Sequence, residues 1–506
     1  MNGIERALGP DRCNQKEVFV SRSYDFDPDG GRLPIKIDRT SNGEYFPPPL
    51  TATQRLSNEM AQEAASKNAK KLNLGRRAFL VSAAGGASTL AACNRAADAL
   101  GERGGRFAVD QEAALDNAMA EDALAKREFI FDVQTHCVDP SGSWIEGTAG
   151  ERWRRNLTEV FGQAAECKPG EFDCFSAQVL AKEVFLDSDT DVAVVSALWG
   201  EPSPTPIAYA AEAREVVAAI GGEGARALIH GGVFPQEPGQ IESMDEKAQE
   251  FGVSAWKMYP QYGADGTGIW LTDASARRMF ERARALGLTT VAVHKGLPLP
   301  GLEYEYSSPK DMGQAAIENP DFTFLTYHSG FEASVTEGPY DAEQPKGIDR
   351  LIKAHQEAGL QRNQGNLYAE MGSMWRHFMT RPTEAAHVMG KLLTYFGEDR
   401  IMWGTDSIWY GSPQDQIQAF RTFEISPEFQ ERYGYPALTP EVKRKIFGLN
   451  GARVYGIDVP AMEDGGELAA RRAAYRAAPN PSFQTFGPQS RREVMALWKA
   501  NGNRPG

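Results

Sequence analysis

Cysteine is scarce in this sequence, with five in 506 residues. So few, so scattered, exclude a disulfide-stapled scaffold. Cys167 and Cys174 flank a short Lys-Pro-Gly-Glu-Phe-Asp segment. Their spacing is not that of a zinc ribbon and no second pair follows. Two readings remain: unpaired thiols, or a local disulfide if the domain is exported. Basic charge is also short, with 54 Lys and Arg against 68 Asp and Glu and a net charge of −14. That excludes a nucleic-acid binder, which needs cations to neutralise phosphates. No apolar run reaches the roughly 17–25 residues of a spanning helix. Histidine is limited to seven, all between His136 and His387. Hydrophobic residues make up 42% of the chain, enough for a sizeable core.

Between Phe129 and Asp406 lie eight short apolar runs: 129–136, 191–198, 225–233, 253–260, 289–296, 323–330, 367–373 and 401–408. Most start 28 to 44 residues after the one before, room for a strand, a helix and two loops. Eight such units predict a (β/α)8 TIM barrel, an α/β fold whose active site lies at the C-terminal ends of the strands. His136, His294, His328 and Asp406 all fall at that end. Alternation along a strand puts Asp132, Gln134 and His136 on one side, and Lys257 on the same side as Ala255 and Tyr259. Imidazole nitrogen with carboxylate oxygen is the donor set of a catalytic divalent ion. Asp406 can ligate through one oxygen and take a proton on the other, and His328 can stabilise an oxyanion or shuttle a proton. His230, His355, His377 and His387 read as structural, since none sits in the pattern.

These residues resemble the amidohydrolase-related family that includes aminocarboxymuconate-semialdehyde decarboxylase and the resorcylate-type decarboxylases, over about 129–458. The resemblance implies a metal ring of a His-x-His pair, two further histidines and an aspartate. Here it maps onto His136 in DVQTH, His294 in VAVHKG, His328 in TYHSG and Asp406 in WGTDS. The first member of the pair is replaced by Gln134, a weaker and neutral ligand. The ring then implies one divalent ion, Zn2+ or, with more oxygen ligation, Mn2+. His136, His294, Asp406 and Gln134 are the metal candidates, Asp406 and His328 the catalytic ones, with His328 beside the ion and not needed to hold it. In binuclear relatives a carboxylated lysine from strand four bridges two metals. Lys257 occupies that strand, and Gln134 argues for a single ion instead. Lys257, Lys295, Glu370 and Trp144 are candidate substrate-binding residues. Trp199, Trp270 and Trp375 join Trp144 in suggesting an apolar or aromatic substrate.

The flanks read differently. Residues 1–59 are poor in apolar runs and rich in turn signals, as expected of a disordered extension or a mis-assigned start before Met60. Residues 60–93 resemble a twin-arginine export signal: Arg76-Arg77 with Phe79 and Leu80, an uncharged run, then Leu90-Ala91-Ala92-Cys93, similar to a lipoprotein processing box with Cys93 as the lipidated residue. Cleavage there would deliver a mature chain without residues 1–92 to the periplasm or cell envelope, with or without a lipid anchor. The alternative is a buried or surface helix. Residues 94–128 read as a linker and lead-in helix, 129–458 as the barrel. Val442, Ile446, Phe447 and Leu449 should share the buried side of its closing helix. Residues 459–506 form a tail that wraps the barrel or pairs with a second subunit.

Three functions fit. The first is a hydrolase attacking an ester, lactone or amide carbonyl through metal-activated water. The second is a nonoxidative decarboxylase of an aromatic or unsaturated acid. The third is a non-catalytic exported binding protein on a degenerate barrel.

Overall fold

The computed structural model describes residues 32–500, except residue 39, segments 162–171, 223–225, 264–265, 300–301, 461–465 and 478–486, and residue 489. Its eight-stranded parallel sheet runs in chain order: Phe131–Thr135, Val192–Ser196, Ala227–Gly232, Ala255–Met258, Thr290–His294, Thr323–Tyr327, Leu367–Glu370 and Ile401–Met402. All eight coincide with the apolar runs. The sheet closes where Val133 N donates to Trp403 O (3.0 Å) and Asp406 N to Gln134 O (2.9 Å). This is the expected (β/α)8 barrel.

Side-chain alternation splits the core in two. Phe131, Val133, Val192, Val194, Leu228, Leu325, Tyr327 and Met402 fill the barrel interior. Ile130, Ala193, Val195, Ile229, Val291, Phe324 and Trp403 face the surrounding helices. His230 is structural, bonded between Tyr455 Oη (2.7 Å) and Tyr327 Oη (3.0 Å). The first strand departs from strict alternation, because its register shifts between Asp132 and Thr135. A bulge of this kind re-aims the residues that follow it. Phe131 and Val133 therefore point inward below it, while Gln134 and His136 line the mouth above. Asp132 does not join them; it accepts from Thr405 N (3.0 Å) and Thr405 Oγ1.

The N-terminal segment corrects the reading of disorder, as far as it is described. Ala52–Lys71 is a helix with a complete Thr51/Gln54 capping box. Ala83–Ala99, which takes in most of the uncharged run, is a second helix, buried along most of its length. Both belong to the main core. Cys93 lies inside that helix, 6% exposed, its thiol pushed up to about 12 by burial. A lipid on its sulfur would require this helix to be opened. Small uncharged residues suit an export signal, and they equally suit close packing of helices: a Cβ on Gly85 would strike Phe79 O in the short helix Arg76–Leu80 just before it. The expected linker instead contributes a strand, Gly105–Phe107, paired antiparallel with Phe423–Ile425. That partner is more than 300 positions away and left no local signal.

Cys174 is disulfide-bonded, which corrects the reading of it as an unpaired thiol; Cys167 lies outside the described residues. In the closing helix Ile446 and Phe447 are buried, but a π-turn over Lys445–Leu449 shifts the phase and leaves Leu449 37% exposed. The tail does wrap the barrel. Arg472 donates to Phe185 O (3.0 Å), and Val494 is fully buried. Among the described residues no helix is long and apolar enough to cross a membrane.

If the 52–99 hairpin is part of the working fold, Leu90→Ala should destabilise the purified protein by about 2–5 kcal/mol, the usual cost of truncating a buried leucine. Denaturant unfolding measures it. An unchanged midpoint would mean that the hairpin is absent from the mature chain.

Candidate metal centre

Three imidazoles meet at the barrel mouth, and each is tied by one ring nitrogen to a backbone carbonyl. His136 Nδ1 lies 2.9 Å from Ser196 O, His294 Nε2 lies 2.7 Å from Leu297 O, and His328 Nδ1 lies 2.9 Å from Gly372 O. A carbonyl can only accept, so each of these nitrogens carries the proton. The opposite nitrogens are left as lone pairs, and they converge. His328 Nε2 is 3.2 Å from His294 Nδ1, and His136 Nε2 is 3.1 Å from Asp406 Oδ1. Gln134 Nε2 sits 3.5 Å from both His136 Nε2 and His328 Nε2, and 3.1 Å from Asp406 Oδ1. Donors at about 2.0–2.2 Å around one tetrahedral ion would be spaced by roughly 3.3 Å. The His328–His294 and His136–Asp406 pairs each match that value, and the group of three that fits a divalent cation among the described residues is Glu44, His294 and His328.

Electrostatics point the same way. Burial holds His294 well below its ordinary range and takes His328 down to about 4, so both stay neutral and able to ligate near pH 7. Burial pushes Asp406 upward, but the neighbouring His136, His328 and Ser373 outweigh it and keep the carboxyl below its usual range. The second Asp406 oxygen accepts from Ser373 Oγ (2.5 Å) and Asn42 Nδ2 (2.8 Å). Asn42 Nδ2 also reaches Glu44 Oε2 (2.6 Å), and Glu44 Oε1 is 3.7 Å from His294 Nε2. Glu44, His294 and His328 together offer ligand atoms within 4.8 Å of one another. Burial, with Asp406 adding to it, pushes the Glu44 carboxyl well above its ordinary range, as expected for acids crowded without a cation.

The backbone is bent to build this site. His328 (φ 66°), Ser329 (φ 51°), Ser373 (φ 56°) and Asp406 (φ 60°) are all left-handed, a conformation that non-glycine residues avoid. Their clustering at one mouth is the pattern of strain held at functional sites. For His328 the turn explains its aim: Tyr327 faces the barrel interior, so an extended backbone would send the next side chain outward.

The sequence-derived candidates divide. His136, His294, His328, Asp406 and Gln134 come together, with His328 Nε2 3.2 Å from His294 Nδ1 and 3.5 Å from Gln134 Nε2. Gln134 presents its amide nitrogen, and its Oε1 has no hydrogen-bond partner. Glu370 lies just beneath, accepting from His328 N (3.0 Å) and Gly372 N (2.6 Å), with burial raising its carboxyl to about 8. Lys257 does not line the pocket. It lies 3.6 Å from the centre of the Tyr327 ring, without a hydrogen-bond partner, and burial takes it down to about 7. Lys295 is spent on Asp311 (2.7 Å), and Trp144 is buried, donating to Asp139 O (2.9 Å). Of the four suggested tryptophans only Trp199 reaches the pocket. Trp153, Phe161, Trp409 and Tyr259 complete an aromatic wall. Trp409, three residues past Asp406, was within reach of a closer reading. Asn42 and Glu44 had no signal, lying some 90 residues before the first barrel strand.

A family model described as amidohydrolase matches residues 176–457, more than half of the chain. The chain belongs to the amidohydrolase family. The match takes in His294, His328 and Asp406 of this amidohydrolase, but not Gln134, His136 or the segment before them. No curated protein matches the sequence. Solved structures similar to it include an uncharacterised TIM-barrel protein from Bordetella bronchiseptica (13% identity, 65% of this chain and 99% of that one, TM-score 0.42). A dihydroorotase from Campylobacter jejuni is also similar (12%, 65% and 84%, TM-score 0.35). So is an amidohydrolase from Mycobacterium avium subsp. paratuberculosis (12%, 66% and 100%, TM-score 0.34).

Gln134→His would place a fourth imidazole in the ring. Titration with a graded chelator should show tighter metal binding than in the wild type, because imidazole is the stronger donor. Equal retention would take position 134 out of the coordination set.

Proposed function

We propose that this amidohydrolase hydrolyses an ester, lactone or amide carbonyl of an apolar or aromatic substrate. One divalent ion, Zn2+ by its imidazole and carboxylate donors, would be held by His136, His294, His328 and Asp406. Such an ion supplies Lewis acidity and a lowered pKa for water. The observation that supports this reading is the approach of His328 Nε2 to His294 Nδ1 (3.2 Å) and of His136 Nε2 to Asp406 Oδ1 (3.1 Å), each imidazole aimed by a carbonyl bond on its far nitrogen.

The other roles fall to side chains. Asp406, ionised and clamped by Ser373 and Asn42, is placed to accept a proton from attacking water and return it to the leaving group. Trp153, Trp199 and Trp409 offer flat apolar surface to the rest of the substrate and exclude water from the reacting carbonyl. Burial of Lys257 and Lys295 away from the pocket supports hydrolysis over decarboxylation, since neither lysine is placed to hold a substrate carboxylate. The bridged Cys174 supports export to an oxidising compartment, the periplasm or cell envelope. In this proposal the 52–99 hairpin stays with the chain.

Metal content and turnover should fall together in His294→Ala. Water consumed without release of carbon dioxide identifies hydrolysis over a panel of aryl esters, lactones and amides. In His328→Ala turnover should drop by about 10²–10⁴-fold, and metal should be lost as well. A His294→Ala protein that keeps its full metal content would remove the assignment. Carbon dioxide release would replace hydrolysis with decarboxylation.

A further inference from the structure

Residues 40–46 cross the barrel mouth without regular secondary structure, yet all but Glu44 and Phe46 are buried. Side chains and single backbone bonds hold them. Ser41 N donates to Pro488 O (2.9 Å), Tyr45 Oη donates to Thr40 O (3.0 Å), and Tyr45 Oη meets Tyr410 Oη (3.3 Å). Gly43, at φ 91°, turns the chain between Asn42 and Glu44, which both reach the metal ring. The space left in the pocket is about 30 Å³, room for a water or two. Little room is left beside the ring and the aromatic wall while this segment is down.

The ring itself is short of charge. Three neutral imidazoles and Asp406 bring one negative charge to a doubly charged ion, and Gln134 adds none. Glu44 would bring the second. Among the described residues its nearest basic partner is His294, whose Nε2 is already taken by Leu297 O.

We propose that residues 40–46 are a lid latched by the metal ion, with Glu44 as a ligand supplied from outside the barrel. The inference rests on the metal-site reading above. Binding of the ion draws Glu44 in and closes the lid. Substrate gains access when its carbonyl oxygen takes the place of the Glu44 carboxylate and the lid lifts, so metal loading and closure are coupled.

Amide hydrogen exchange of the full chain, dialysed free of metal and then loaded with Zn2+ or Mn2+, tests this. Metal should slow exchange in 40–46 by about tenfold or more, reported segment by segment. Glu44→Gln, which keeps the size and one hydrogen-bonding oxygen, should abolish that slowing and weaken metal binding by about 10–100-fold. A metal-free thermal midpoint matching the wild type would show the variant to be folded. Asn42→Ala gives a second variant, expected to reduce the slowing while removing one hydrogen bond to Asp406 Oδ2. Wild-type protein that takes up metal with no change in 40–46 overturns the lid, as does a Glu44→Gln protein that retains both affinity and protection. Retention of metal by His294→Ala overturns the underlying site as well, so the two failures are told apart.

Discussion

Everything at the mouth of this barrel depends on three hydrogen bonds from imidazole to backbone carbonyl. Ser196 O, Leu297 O and Gly372 O fix which ring nitrogen carries a proton on His136, His294 and His328. The His328 and His294 lone pairs then face each other across 3.2 Å, and the His136 lone pair faces Asp406 across 3.1 Å. Without a cation such an array is repulsive; with one it is a ready-made ligand set. The strained backbone at His328, Ser373 and Asp406 makes sense as what holds these groups to that geometry.

Barrel and ring were legible because both rest on local patterns. Eight apolar runs at near-even spacing leave little choice of fold, and histidines at strand ends mark the mouth. Contacts made across long separations were not legible. The bulge after Asp132 decides which way Gln134 points, and no residue there announces it. Lys257, Lys295 and Trp144 lie at suitable strand or loop positions, yet their polar groups go to Tyr327, Asp311 and Asp139 instead of the pocket. The first hundred residues were the least legible. A paired arginine followed by small uncharged residues is common to export signals and tight helical hairpins, and composition alone does not separate the two.

Segments from both flanks of the barrel, around Ser41 and around Pro488, meet at the mouth. The segment around Glu44 and the tail around Pro488 touch each other, and Gly487 N donates to Trp409 O (2.8 Å) on the aromatic wall. The barrel strands thus carry the imidazoles, while residues 42–44, outside the family match, line the pocket beside them. Barrel enzymes usually place specificity in the loops after the strands. This amidohydrolase adds its own termini to that layer, consistent with a pocket that is aromatic on one side and closed by a polar segment on the other.

The most direct measurement is an anomalous-scattering map at the metal absorption edge, from crystals of protein with one ion per chain by elemental analysis. The account predicts a single peak at about 2.0–2.2 Å from His136 Nε2, His294 Nδ1, His328 Nε2 and Asp406 Oδ1. A stoichiometric metal found elsewhere in the molecule, or one bound through the opposite ring nitrogens, would contradict it.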